Sequence, residues 1–427
     1  MSANFSDTKM QYSRAQSQRQ SRVHQQFLQN RQTTLREINK LLQWQTTLVA
    51  PAPGQQWREE SPVFSRMDLE EFATGSLERC FGPEYAIFRG RRVPRIPNGD
   101  LMLFDRVLEI NGKRQELNAP ASIITACDVP QDAWYLHQNA YPAVPLSVLM
   151  EMALQPCGFL SAYLGTALSA PEQDFLFRNL DGSATLFADL ALPGQTVINH
   201  ASLHSTVAGA GTIIQTFAFS LSSKGVEFFR GESVFGYFPP EVLAQQAGLE
   251  DQRQLVSAQG LTILPQQAWA VQDNNKPHYR LSNGQMNFLD QIQVTRQGGK
   301  YGLGMVYARK VVDPQDWFFA CHFYQDPVMP GSLGVEAIQQ ALQAYSLAGD
   351  LGCDFCSPHF SLLSDSTMQW KYRGQITPAH HEMEIEVHIR KIQPSPGKLS
   401  IRADASLWAD GKRIYEITNI GMAIQEG

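Results

Sequence analysis

The chain is predicted to be an α+β protein made of two related domains in tandem, each with strands wrapped around one long apolar helix. The first observation behind this is a repeat: adding 185 to His137, Glu151 and Gln155 gives His322, Glu336 and Gln340. The same shift carries Asp105 to Asp290, Asp128 to Asp313, Pro142 to Pro327, Pro145 to Pro330 and Ser147 to Ser332, a register that chance does not hold over fifty residues. Second, SVLMEMALQPCGFLSAYLGTAL is apolar almost all round, and SLGVEAIQQALQAYSLAG repeats it, as suits helices buried on every side. Third, strand-like runs flank both helices and can supply the cover they need.

Residues 1–60 read as an N-terminal helical extension and linker. Val23, Phe27, Leu28, Leu35, Ile38, Leu41 and Leu42 recur at roughly helical spacing in a Gln- and Arg-rich stretch, until APAPGQQ breaks it. The first repeat spans 61–238. It opens with the helical pattern DLEEFATGSLERCFG, then LMLFDRVLEI and ASIITACDV on either side of an Asn-Gly turn signal. His137 closes AWYLH, where it reads as a histidine after a strand. The turn YPAVP and the buried helix follow, then the strand-like ATLFADLAL, QTVINHASLHSTV, GTIIQTFAFSLSS and VEFFRGESVFGYF. Residues 239–276 read as a connector with a short helix. From 277 to 427 the order recurs: MNFLDQIQV, YGLGMVYARKV, WFFACHF, DPVMPG, the second buried helix, and four further strand-like runs ending in RIYEITNIGMAI.

The bulk properties exclude several classes. A net charge of −6 argues against a nucleic-acid or anionic-membrane surface, though a local cluster can still dock an acidic carrier protein. No apolar run reaches the length of a membrane span, and MSANFSDTKMQYSRAQSQRQ is unlike a secretory signal, so a cytoplasmic location is expected. Six cysteines suit reduced thiols better than a disulfide framework. The one CxxC, Cys353 and Cys356, has a spacing that serves zinc or redox exchange, but a zinc site needs two more ligands and only His359 is close in sequence, so structural cysteines are expected.

The stretch FFACHFYQDPVMPGSLGVEAIQQ, residues 318–340, resembles the β-hydroxydecanoyl-acyl-carrier-protein dehydratase family: histidine, DPVMPG, acid and glutamine fall in order. The likeness extends over nearly all of the second repeat. The first repeat resembles the same family through LMLFDRVLEINGK, His137, Pro142, Pro145, Glu151 and Gln155, but carries Tyr141 in place of Asp326 and Leu146 in place of Gly331. Tandem copies behind a Gln-rich helical lead-in are similar to the dehydratase region of bacterial polyunsaturated fatty acid synthases. The resemblance implies a double hot-dog fold, in which an antiparallel sheet wraps each central helix. It further implies an internal pseudo-dimer, which removes the usual need for a homodimer without excluding one. The expected substrate is a β-hydroxyacyl chain on the phosphopantetheine of an acyl carrier protein, delivered among other domains of a multidomain synthase, with no metal or redox cofactor. Isomerising relatives carry aspartate where both repeats here have glutamate, which weakens the case for double-bond isomerisation.

The chemistry agrees with the residue types. Dehydration needs a base at the α carbon, an acid at the departing hydroxyl and stabilisation of charge on the thioester oxygen. Histidine serves as base near neutral pH. Glutamate serves as acid only while protonated, which an otherwise apolar helix favours by desolvation. Gln155 and Gln340 lie one turn beyond Glu151 and Glu336 and can orient the carboxyl groups. Backbone N–H groups of Gly331 and Ser332, at the start of the second buried helix, can receive the thioester oxygen, and glycine there permits close approach. The resemblance implies that each histidine faces the acid of the other repeat: His322 with Glu151 and Gln155, His137 with Glu336 and Gln340. Segment preservation favours the His322 site, whereas Gly331 precedes the helix of Glu336, and the choice stays open. Asp326 reads as a turn acceptor. Two other classes remain: a hot-dog thioesterase, which would release free thiol, and a non-catalytic carrier-docking module, which would bind without forming an enoyl product.

Overall fold

The computed structural model describes residues 62–141, 143–253, 261–264 and 278–427, all within the unit Ser61–Gly427. The amphipathic helix expected before Ala50 lies outside the described residues. Helix α1 (Arg66–Ala73) begins at a reciprocal capping box between Ser65 and Asp68, and α2 (Leu77–Phe81) follows it. Then come β1 (Arg106–Asn111), β2 (Ala121–Asp128), the one-turn helix α3 (Trp134–Gln138), the long helix α4 (Leu146–Tyr163), β3 (Leu176–Leu186), β4 (Thr196–Gly209), β5 (Thr212–Ser223) and β6 (Val226–Phe238). A short helix α5 (Pro240–Ala244) and strand β7 (Leu261–Leu264) precede the second series: β8 (Gln291–Thr295), β9 (Met305–Val311), α6 (Trp317–Cys321), α7 (Gly331–Ala348), β10 (Pro358–Leu362), β11 (Ser366–Tyr372), β12 (Glu382–Ser395), β13 (Lys398–Ala409) and β14 (Lys412–Glu426).

The fourteen described strands form one antiparallel sheet in the order β1-β2-β4-β5-β6-β3-β11-β14-β13-β12-β9-β8-β7, with β10 beside β14. The halves join where β3 pairs β11, Asp181 opposite Lys371 and Leu186 opposite Ser366. Adding 185 to Asp181 and Leu186 gives Ser366 and Lys371, so the two ends of this ladder exchange under the repeat and a pseudo-dyad runs through it. Each half curls around its own helix, α4 against β2, β4 and β5, and α7 against β8, β9, β12, β13 and β14, while α4 and α7 pack on each other. This is the double hot-dog arrangement.

Burial explains why the helices hold despite their sequences. In α7 every residue from Ser332 to Ser346 is buried; each large aliphatic side chain so enclosed contributes about 1.5–3 kcal/mol. Helix α4 carries Pro156 internally, and proline has no N–H to bond the carbonyl four residues back, that of Met152. The side chain of Asn199 on β4 donates to that carbonyl at 2.8 Å and to Ala153 O at 3.0 Å, so the freed acceptor is satisfied from the sheet.

Three local readings change. The strand expected over ATLFADLAL starts earlier, at Leu176, and pairs with β6 through a bulge at Asn179–Asp181; Asn, Asp and Gly there weaken the strand signal that cross-strand packing overrides. WYLHQ and WFFAC form one-turn helices, so His137 lies within a helix and His322 caps one, and neither follows a strand. The stretch read as a connector supplies β7, which pairs β8 with Leu261 opposite Thr295.

Candidate active site

The two acids sit on facing helices and reach across the pseudo-dyad. Glu151, on α4, accepts from the hydroxyl of Ser332 in the first turn of α7 at 2.5 Å. Glu336, on α7, accepts from the hydroxyl of Ser147 in the first turn of α4 at 2.9 Å. Both carboxyls are buried, and burial raises both above the ordinary glutamate value against the opposing pull of these donors. The glutamines one turn on are fixed alike. Gln155 donates to Glu151 and to Leu101 O, both at 2.8 Å, and accepts from Leu103 N at 3.0 Å. Gln340 donates to Met286 O at 2.6 Å and to Glu336 at 3.5 Å, and accepts from Phe288 N at 3.1 Å. Leu101 and Leu103 correspond to Met286 and Phe288 under the repeat.

The histidines differ. His322 caps α6 and is buried; its Nδ1 lies 2.9 Å from Val328 O. A carbonyl only accepts, so Nδ1 carries the proton and Nε2 keeps a lone pair. Burial drives the imidazole down to about 3, holding it neutral. His322 and Glu151 line one cavity of about 110 Å³, with Gln155, Gly331, Ser332, Arg178 and Tyr372. His137 is exposed on α3. Among the described residues no hydrogen bond or ion pair joins it to Glu336 or Gln340. The space corresponding to the first cavity measures about 30 Å³ and is lined by Leu146, Leu362 and Leu363, the counterparts of Gly331, Phe177 and Arg178.

The site holds features that the sequence reading lacked. Ser332 brings its hydroxyl to the acid besides its backbone N–H; the matching Ser147 was the available signal. Gly331 has a different local reason: a Cβ there would stand 2.7 Å from the Tyr372 ring. The Asp326 carboxylate, expected to accept within its own turn, instead takes two bonds from Arg178 at 2.7 and 2.8 Å and one from Arg92 at 2.6 Å. Burial raises this carboxyl, but the two guanidinium groups outweigh it and hold it below its usual range. No periodicity announces Arg178, because its counterpart is Leu363. Cys353 and Cys356 are exposed, and among the described residues no group of three or more His, Cys, Asp or Glu could hold a metal ion. No described helix is long and apolar enough to cross a membrane.

The chain is similar to several known proteins. The chain is 36% identical over 392 residues to a polyunsaturated fatty acid synthase polypeptide of Thraustochytrium sp.; the alignment covers 84% of this chain and 26% of that protein, so the chain spans about a quarter of its relative's length. Among solved structures, the dehydratase domain of RzxB from Pseudomonas fluorescens aligns at 13% identity and a TM-score of 0.41, covering 76% of this chain and 99% of that one. A protein described as a thioesterase from Novosphingobium aromaticivorans aligns at 12% and 0.35, covering 74% and 98%. Both likenesses are distant. The FabA-like domain model matches residues 281–418, the repeat that carries His322, DPVMPG and Glu336, and this second repeat is therefore a FabA-like domain.

Proposed function

We propose that the protein dehydrates β-hydroxyacyl thioesters carried on an acyl carrier protein, yielding trans-2-enoyl thioesters for fatty acid synthesis, polyunsaturated in kind, at one site built from both repeats. The observation that carries this reading is the shared cavity of His322 and Glu151. Nε2 of His322 takes the α proton, the α,β double bond forms as the β C–O bond breaks, and the hydroxyl leaves as water with the proton of Glu151. Gly331 and Ser332 N–H groups, at the positive end of α7, receive the thioester oxygen as charge builds on it. A free imidazole near 3 is a weak base. Transfer of the Glu151 proton in the same event creates a carboxylate in the same cavity, which stabilises the imidazolium being formed. Ser332 and Gln155 hold the carboxyl in place throughout. Return of the proton from His322 to Glu151 completes the cycle. His137 and Glu336 take no part in this site.

The test is the absorbance of a conjugated enoyl thioester on mixing the protein with a β-hydroxyacyl thioester on phosphopantetheine, for wild type, His322→Ala, His137→Ala and the double variant. Loss confined to variants lacking His322 is expected. Free thiol without enoyl product would replace this reading with hydrolysis, and binding without either product would replace it with carrier docking.

A further inference from the structure

We infer that Asp326, gripped by Arg178 and Arg92 from the other repeat, is a positioning residue that fixes the His322 imidazole against Glu151. The loop from His322 to Val328 is closed on itself. His322 Nδ1 bonds Val328 O, Val328 N donates to His322 O at 2.7 Å, and Phe323 and Asp326 exchange backbone bonds at 3.0 Å each way. Such a loop moves as one body, so whatever anchors it aims the imidazole. Among the described residues its hydrogen-bonded anchor to the first repeat is the Asp326 carboxylate, which receives both arms of the Arg178 fork from β3 and one arm of Arg92, while Arg95 lies 5.9 Å from the centre of the Tyr324 ring. The Asp326 and Arg178 side chains are each only 10% exposed, so this is no solvent-screened surface pair. Since Glu151 belongs to that same first repeat, the triad sets the distance between base and acid.

The other half of the molecule supplies the contrast. Tyr141 stands at the place of Asp326, and Leu363 at the place of Arg178. Tyr141 is buried without such a fork, and the histidine of that loop, His137, is exposed. An asparagine contact to the other repeat exists in both halves, Asn98 N to Cys321 O and Asn283 N to Gln138 O, each at 2.9 Å. The acceptors differ in register, Cys321 preceding His322 and Gln138 following His137, and among the described residues the ion triad is found beside His322 alone.

This inference rests on the dehydratase reading, and the experiment separates the two. Asp326→Asn, Arg178→Gln and their double variant are compared for kcat, KM and melting temperature. Asp326→Asn strands the buried Arg178 guanidinium and Arg178→Gln leaves Asp326 with Arg92 alone, so each lowers the melting temperature, while the double change removes the buried pair and recovers much of it. Asp326→Asn is expected to lower kcat about tenfold to a hundredfold with little change in KM, as misplaced catalytic groups do. The double variant is expected to regain stability without regaining kcat. Return of kcat together with melting temperature, or a wild-type kcat in Asp326→Asn, overturns the inference. In parallel, the ring-nitrogen NMR signals of His322, assigned by their loss in His322→Gln, are recorded in wild type and Asp326→Asn. Should the wild type form no enoyl product, the dehydratase reading falls, and an unmoved His322 signal in Asp326→Asn would overturn the clamp on its own.

Discussion

The Ser332 hydroxyl donates to the Glu151 carboxyl at 2.5 Å across the boundary between the repeats. A helix start in one hot dog thus holds the acid of the other. Because a donated hydrogen bond favours the charged form of a carboxyl, this contact opposes the desolvation that keeps Glu151 protonated. Ser332→Ala is therefore expected to push Glu151 higher still and to move the alkaline limb of the kcat/KM profile to higher pH. A limb that stays put or moves down would show that Ser332 does not govern the acid.

The acid limb of the same profile belongs to His322. Buried neutral, with its value near 3, the imidazole needs no deprotonation between pH 7 and 5. We expect kcat/KM to stay level over that interval, where an ordinary histidine base would titrate near 6.5. A fall centred near 6.5 while the protein remains folded contradicts the burial argument. Stability follows the opposite concern: the unfolded chain protonates its histidine at the ordinary value, so the folded state loses ground as pH falls from about 6.5 toward 3.

The two buried glutamates are expected to separate under substitution. Glu151→Gln removes the acid and should lower kcat by about a hundredfold or more. Glu336→Gln keeps the bonds to Ser147 and Gln340 within reach and should leave kcat within about twofold. Comparable losses in both variants, measured in the enoyl assay, would mean that the second cluster also works.

Glu336→Gln carries a stability signature as well. The folded protein holds the Glu336 proton above 4.5, where the unfolded chain releases it. Between that value and the raised folded value the native state binds more protons, so stability declines as pH rises through the window and stays reduced above it. Glutamine has no such loss. Its melting temperature relative to wild type should be higher at pH 8 than at pH 5, by about 2 °C per kcal/mol removed. An equal difference at both values would show that Glu336 is charged in the fold.

Gly331→Ala should cost about 1–3 kcal/mol, because the added methyl meets the Tyr372 ring at 2.7 Å. Tyr372→Leu in the same chain should recover part of the melting temperature by opening that space. Failure to recover would assign the effect to the backbone of the helix start.

Much of the molecule was written in local pattern. The 185-residue shift revealed two domains, apolar runs located α4 and α7, and alternating residues found most strands, since those signals depend on neighbours along the chain. Where local chemistry opposes packing, the pattern along the chain does not show the element. The Asn179–Asp181 bulge carries residues that disfavour strands, and AWYLH is too short for periodicity to separate a helical turn from a strand.

The sequence by itself determined the parts: two helices bearing an acid and an amide, each preceded by a histidine and a proline-bounded turn, on one register. Tertiary structure alone decided which of the two cross-repeat pairings shares a cavity and what clamps it. Long-range contacts bring His322 into one cavity with Glu151, leave His137 in solvent, and recruit Arg178 and Arg92 to Asp326 over separations of 148 and 234 residues. The physical reason is that a repeat fixes equivalent positions, whereas Tyr141, Leu146 and Leu363 alter volume and charge only where the two halves touch, and the cost of a missing guanidinium or an added side chain exists only once the chain is folded.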